Sequence, residues 1–293
     1  MFGYQPDEKA SAVIVGVLVF VSALGIGINA FLLCVLDRLP EKSTSFVLIL
    51  LIGVADLLLC VFTLLVCVSR LYLGFLGSYL SWFYCPVLGS LTFFFSSMSG
   101  ILMGFLAIER YSVICHQQGL PRGIIWALFS MVALTFATLL TGNSLIGGFA
   151  PDPSFIFCMP RGTTWSMYAD MAFNILLNIP IVVLTFCYIS IFLKCYQSTF
   201  ANRRESLTRK AALRSLLFLL LYFACYIPKF STTVIGAYGG LDAPPRVLYM
   251  IIPVGMTMLA LVNPILVLLL HRRFKDVIIG VIFSANPPKF LLK

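Results

Sequence analysis

Residues 45–70 read SFVLILLIGVADLLLCVFTLLVCVSR, in which Asp56 is the only charged side chain ahead of Arg70. As a helix at ~1.5 Å per residue the run measures ~39 Å, more than the ~30 Å hydrocarbon core of a bilayer. A carboxyl inside hydrocarbon is costly unless it faces other helices. The stretch therefore predicts a membrane helix that belongs to a bundle. Six more apolar runs, at 11–36, 84–114, 122–146, 165–196, 209–236 and 246–270, supply its neighbours. They are continuous and not alternating, as barrel strands would be, and isolated strands would leave amides unsatisfied in lipid. The expected fold is all-α, an integral membrane bundle of seven transmembrane helices.

Composition agrees with that reading. The 293 residues are 60 % hydrophobic and 11 % charged, with a mean hydropathy of +1.02, whereas soluble domains run at ~45–50 % and ~25 %. The net charge of +9 would suit nucleic acid, but the basic residues lie between apolar spans and not in an aromatic-studded soluble patch. No nucleic-acid partner is expected. Nine cysteines without a CxxC pair, and two histidines, offer no zinc set, so most thiols should be buried and inert. The opening MFGYQPDEK is polar, with no cleavable signal peptide evident, and the first span is expected to act as an uncleaved anchor.

Lys and Arg orient the bundle. Of twenty, fifteen fall on one side, among them Arg38, Arg110, Arg122, Lys194 and Arg272, against Lys9, Arg70, Arg161, Lys229 and Arg246 on the other. The C-terminus should be cytoplasmic and residues 1–10 a short outer tail, too short to be a ligand-binding domain. The seven spans occupy 11–270. In 271–283, Phe274, Val277, Ile278, Val281 and Ile282 keep amphipathic helical spacing, so this segment should lie on the cytoplasmic membrane surface against lipid head groups, followed by a tail over 284–293.

The polar residues inside the spans carry a resemblance. Gly25-x-x-x-Asn29, Ala55-Asp56, Glu109-Arg110-Tyr111, Trp126, Pro180 with Tyr188, Cys225-Tyr226-Ile227-Pro228 and Asn263-Pro264 fall one set to each helix. Together they resemble the rhodopsin-like, class A G-protein-coupled receptors over all seven helices and the surface helix. Cys85 stands 25 residues before Arg110, ~37 Å along a helix, which puts the two at opposite ends of the third span. The resemblance implies that Cys85 pairs with Cys158 in an outer loop, where disulfides persist. Trp82 also matches the family.

What the family implies for function follows residue by residue. Glu109, Arg110 and Tyr111 would form the cytoplasmic switch to a heterotrimeric G protein, with Tyr188, Asn263 and Pro264. A glutamate that often completes the resting lock is replaced by Thr208, which implies basal activity. Asn29, Asp56 and Ser99 would build an inner polar network with Asn263. Asp56 and Ser99 match a sodium site, but Leu259 and Ala260 stand where oxygen ligands are usual; a structural Asp is the equal alternative. Val267 replaces the tyrosine of Asn-Pro-x-x-Tyr and Tyr226 the usual tryptophan, so any activation uses a modified relay. Pro180 and Pro228 still supply hinges.

Short matches around Ile114-Cys115-His116 and 152–158 are most similar to the opsin and melatonin-receptor branch. Thr257 stands where an opsin carries its retinal-binding lysine, so no cofactor is expected. Thr92 replaces the aspartate of aminergic receptors. By register the pocket comprises Thr92, Phe93, Ser96, Ala172, Leu176, Tyr226, Lys229, Phe230 and Thr257. It favours a lipophilic or small neutral-to-anionic ligand, either a small molecule or a lipid. Lys229 has three open readings: snorkelling outward, a salt bridge to Asp170 or Asp242, or pairing with a ligand anion. The basic 194–214 connection is explained by topology alone.

Other classes fare worse. No paired carboxylates, nucleophile–base set or phosphate loop marks an enzyme. A transporter should show internal repeats and coupled intramembrane charges. A receptor-fold protein that does not signal, a decoy or scaffold, is the alternative that Val267 and Tyr226 favour.

Overall fold

The computed structural model describes residues 8–37, 43–80, 84–145, 148–151, 157–160, 164–201, 216–217, 219–228, 231 and 246–270. Seven helices follow in chain order: α1 (Glu8–Asp37), α2 (Thr44–Leu80), α3 (Ser90–Tyr111), α4 (Arg122–Leu145), α5 (Thr164–Ala201), α6 (Leu219–Pro228) and α7 (Arg246–Leu270). A π-helical turn leads into α3 over Tyr84–Gly89, and another leads out over Ser112–His116. Among the described residues six helices are long and apolar enough to cross a bilayer; the described part of α6, Leu219–Pro228, is a shorter apolar helix.

Local chemistry sets the ends. Ser43 caps α2, its side-chain oxygen accepting from the Phe46 amide at 3.3 Å. The exit of α3 is closed by Gln117, left-handed at φ 57°, whose amide returns to the Ser112 carbonyl. The Pro121 carbonyl accepts from Ile124 and Ile125 at 3.1 and 3.4 Å and starts α4. At the C-terminal end of α4, Ser144 donates to the Pro86 carbonyl at 3.0 Å and sits 2.7 Å from Ser90, clasping α4 to the π-helical entry of α3.

The second apolar span is found at Thr44–Tyr72, close to the expected 45–70, and its helix runs on to Leu80, with the Arg70 side chain only 6 % exposed. A charge does not stop a helix whose neighbours remain apolar, and residues 71–80 are LYLGFLGSYL. The fold is the expected all-α bundle, with one small antiparallel hairpin between α4 and α5, β1 (Phe149–Pro151) with β2 (Cys158–Pro160), in the register Phe149 to Pro160 and Pro151 to Cys158. The surface helix over 271–283, residues 1–7 of the outer tail, Trp82, Thr208, Lys229 and Phe230 lie outside the described residues, while residues 8–10 of that tail already belong to α1.

α3 is the central helix, packed against α2, α4 and α5, while α1 lies against α2 and α7. α6 reaches both α3 and α7: at Gly255 of α7 a Cβ would fall 2.4 Å from the Cys225 carbonyl oxygen of α6, so the two backbones touch. The core is continuous through Leu48, Ile52, Leu102, Leu106, Leu184, Ile191 and Tyr222. Outward, Phe20, Leu134 and Val182 are exposed by 65, 70 and 68 %. Large apolar side chains on every outer face are what a bilayer, and not water, stabilises.

Candidate functional site

Hairpin strand β2 carries Cys158 to Cys85, with a Cα–Cα distance of 5.3 Å. This disulfide, expected from the resemblance, ties the outer loop to the head of α3 across 73 residues of sequence.

Midway down the bundle, Asp56 is fully buried and joins three helices. Its Oδ1 accepts from the Ser99 hydroxyl of α3 at 2.5 Å, and its Oδ2 from the Asn263 amide of α7 at 3.0 Å. Asn29 bonds to backbone carbonyls. Its Nδ2 donates to the Gly25 carbonyl and, across to α7, to the Ala260 carbonyl, each at 2.9 Å. The reason lies four residues on: Pro264 has no N–H, so it leaves the Ala260 carbonyl without its helical donor. Asn29 supplies that donor. The inner network is Asn29, Asp56, Ser99 and Asn263, with a backbone carbonyl as one of its nodes.

A sodium ion at Asp56 and Ser99 would find a poor shell. Both carboxylate oxygens already accept a hydrogen bond, and the α7 wall of the adjoining cavity is Met256, Leu259 and Ala260. The Asn263 amide oxygen, which has no protein donor among the described residues, is one further ligand and does not complete a set of hard oxygen donors. Among the described residues no group of three or more His, Cys, Asp and Glu is placed to hold a metal.

At the end of α3 opposite the disulfide, Glu109 is buried to 4 % exposure and its Oε2 lies 3.8 Å from Arg110 Nε. Arg110 keeps about a third of its side chain open, at 31 %. Tyr188 of α5 is buried beside this end of α3, in the same core as Leu106 and Ile191. Tyr111 makes ring contacts to His116 and to Phe186 of α5, at centroid distances of 5.2 and 5.9 Å. Lys194 of α5 donates to the Cys115 carbonyl and so holds the π-helical exit of α3. Val267, where the family tyrosine would be, is a half-buried aliphatic against the core.

Of the pocket residues, Thr92 and Thr257 are buried and turn their hydroxyls to their own helices, to the Leu88 and Pro253 carbonyls at 2.8 Å each. Phe93 is half-buried against the core. Ser96 and Tyr226 come together on one cavity, lined also by Leu59, Ser99, Gly100, Tyr222, Met256, Leu259 and Ala260, with room for about one water molecule. Ala172 and Leu176 lie on the α5 backbone. Sequence reasoning missed Tyr222 and Gly100. An aromatic pair at i, i+4, Tyr222 and Tyr226, was the available signal for the first.

A membrane bundle of seven helices, with a charged pair at the inner end of the third and a buried Asp–Asn link between the second and seventh, defines a heptahelical receptor. The profile described as 7 transmembrane receptor (rhodopsin family) matches residues 28–266, and the chain belongs to that family of G-protein-coupled receptors. Melatonin receptor type 1B-A of Danio rerio is 28 % identical over 251 residues, covering 80 % of this chain and 84 % of that protein. A blue-sensitive opsin of Gekko gecko is 25 % identical over 232 residues, 72 % of this chain and 65 % of the opsin. Melatonin receptor type 1B-B of Danio rerio is also matched over only 62 % of its length. The fold superposes on squid rhodopsin with a TM-score of 0.74 at 16 % identity, covering 96 and 87 % of the two chains.

Proposed function

We propose that the chain is a signalling receptor of the plasma membrane, with its N-terminus outside, that couples ligand binding among the outer helix halves to a heterotrimeric G protein at Arg110. The observation that carries this is the Glu109–Arg110 pair: the carboxylate is buried while a third of the arginine stays open at the inner face of α3. Such a guanidinium is a ready donor to a partner's carboxylate or backbone carbonyl.

The ligand we propose is lipophilic or small and neutral to anionic, since Thr92 of α3 and Thr257 of α7, their hydroxyls satisfied by their own helices, stand in place of a carboxylate and a retinal-binding lysine beside the aromatic Phe93. Melatonin, for which two of the relatives are named, heads the candidates. Weak restraint at Thr208 supports ligand-independent output. The test is second-messenger output in cells expressing the chain against Arg110→Ala at matched surface expression, first without ligand and then with lipids, organic acids and melatonin. Output above background that the substitution removes is the expected result.

A non-signalling receptor has a specific observation in its favour, Val267 in place of a tyrosine that could meet Tyr188. Binding of a ligand with silence toward every G-protein class would select it.

A further inference from the structure

The seam between α1 and α2 pairs residue against residue. A Cβ on Gly53 would lie 3.5 and 3.2 Å from the side chains of Leu32 and Leu33, and a Cβ on Gly25 would fall 2.5 Å from the Cys60 sulfur. The two contacts make the helices antiparallel, so each step back along α1 is a step forward along α2. Three residues before Gly25 stands Ser22, and three after Cys60 stands Thr63. Four residues further along each helix, Leu18 and Cys67 share one core cluster and keep the same register. Ser22 and Thr63 therefore occupy one level of the seam, and both are 0 % exposed.

Their hydroxyls behave unlike others in the bundle. Thr92, Thr185 and Thr257 donate to the carbonyl four residues back at 2.8, 2.7 and 2.8 Å, the usual way for a hydroxyl on an apolar helix to satisfy itself. The Ser22 and Thr63 hydroxyls do not bond each other, and neither has a partner among the described residues. A buried hydroxyl left unbonded in an apolar interior is strongly unfavourable. On neighbouring levels a long side chain fills the seam, Leu32 on Gly53 and Leu18 on Cys67. At 22 and 63 two short polar side chains meet instead.

We propose that Ser22 and Thr63 hold a buried water molecule between α1 and α2, each hydroxyl bonding it from its own helix. Water has the size and the chemistry for this level: with two donors and two acceptors it serves both hydroxyls at once and keeps capacity for a backbone carbonyl. The Gly25–Cys60 contact, three residues inward, leaves the seam no width for a larger ligand. The site lies seven residues outward of Asn29 and Asp56 on both helices, ~10 Å along the seam, and is separate from the Asp56 network. It stands whether or not the chain signals.

Two measurements on the full chain in lipid nanodiscs test it. The first compares the unfolding of wild type, Ser22→Ala, Thr63→Val and the double variant. Either single substitution strands the other hydroxyl and should raise the unfolding equilibrium constant about tenfold, while the double variant, which loses both hydroxyls and the water, should come back to within about threefold of wild type. Should Ser22→Ala not accumulate, recovery of its surface expression by Thr63→Val reads the same coupling. The second is radiolytic labelling in isotopically labelled water, in which radicals born on a bound water oxidise side chains that bulk water does not reach. Cys67, one turn from Thr63 and 0 % exposed, should take up label in wild type and lose most of it in the double variant, with the 87 % exposed Tyr72 labelled equally in both. Stability losses that simply add would overturn the water site. So would a Cys67 label that is absent from wild type, as when the two hydroxyls bond each other directly, or one that the double variant leaves unchanged.

Discussion

The amide of Asn29 on α1 reaches the Ala260 carbonyl on α7 at 2.9 Å, and that carbonyl is the one Pro264 leaves without a helical donor. A kink-forming proline and an asparagine on another helix thus form one unit, in which the side chain repairs the backbone. Asn29→Ala should destabilise the purified chain by ~1–2 kcal/mol, the range for a buried donor removed from its acceptor. The loss should shrink in a Pro264→Ala background, where an N–H at 264 restores the helical bond. Thermal unfolding of the four chains measures the coupling, and equal losses in both backgrounds would break the link.

Asp56 uses both oxygens as acceptors, toward Ser99 and Asn263. Asp56→Asn turns an amide N–H₂ toward one of these two donors and should cost more than Ser99→Ala, which removes one bond and leaves the Asn263 bond in place. The poor oxygen shell at this site further predicts that sodium chloride raises the unfolding temperature no more than potassium chloride at equal ionic strength. A sodium-specific rise, abolished by Asp56→Asn, would restore an ion to the site.

Gly255 separates the backbones of α6 and α7, since a Cβ would fall 2.4 Å from the Cys225 carbonyl oxygen. Neither partner is a side-chain tip that can turn away. Gly255→Ala should therefore cost ~1–3 kcal/mol or prevent surface expression. Gly16→Ala is the control: nothing lies within 4 Å of its Cβ position, and alanine should stabilise α1 by ~0.5–1 kcal/mol. Similar behaviour of the two variants would mean that α6 and α7 do not meet here.

The Cys85–Cys158 bridge closes 73 residues of chain, for which loop-closure entropy gives ~4 kcal/mol. Replacing both cysteines by serine should remove surface expression or lower the unfolding temperature by more than either of the first two substitutions above does.

The architecture was readable because lipid demands self-satisfied backbones: seven apolar runs could only be helices, and the structure places helices on all seven. What escaped were features that hydropathy does not report. The apolar run closing at Arg70 does not show that the α2 helix continues to Leu80 past a buried arginine. The hairpin at Phe149–Pro160 has no alternating run long enough to announce it. Asn29, Asp56, Ser99 and Asn263 were legible as polar residues in hydrocarbon, but the fifth node is the Ala260 carbonyl, visible only by asking what Pro264 deprives. Gly100 and Tyr222 lie 122 residues apart in sequence, and only packing brings them together. The Glu109–Arg110 pair was legible because its residues are adjacent and three residues mark it.

The central claim is that Arg110 hands a signal to a G protein. Its most direct measurement is nucleotide exchange on purified heterotrimeric G proteins of each class, driven by the full chain in nanodiscs against empty nanodiscs and against Arg110→Ala. The account predicts exchange above the empty-disc rate for at least one class, with Arg110→Ala folded and back at that rate. A folded wild-type chain that leaves every class at the empty-disc rate, with and without a ligand shown to bind, or an Arg110→Ala chain as active as wild type, would contradict it.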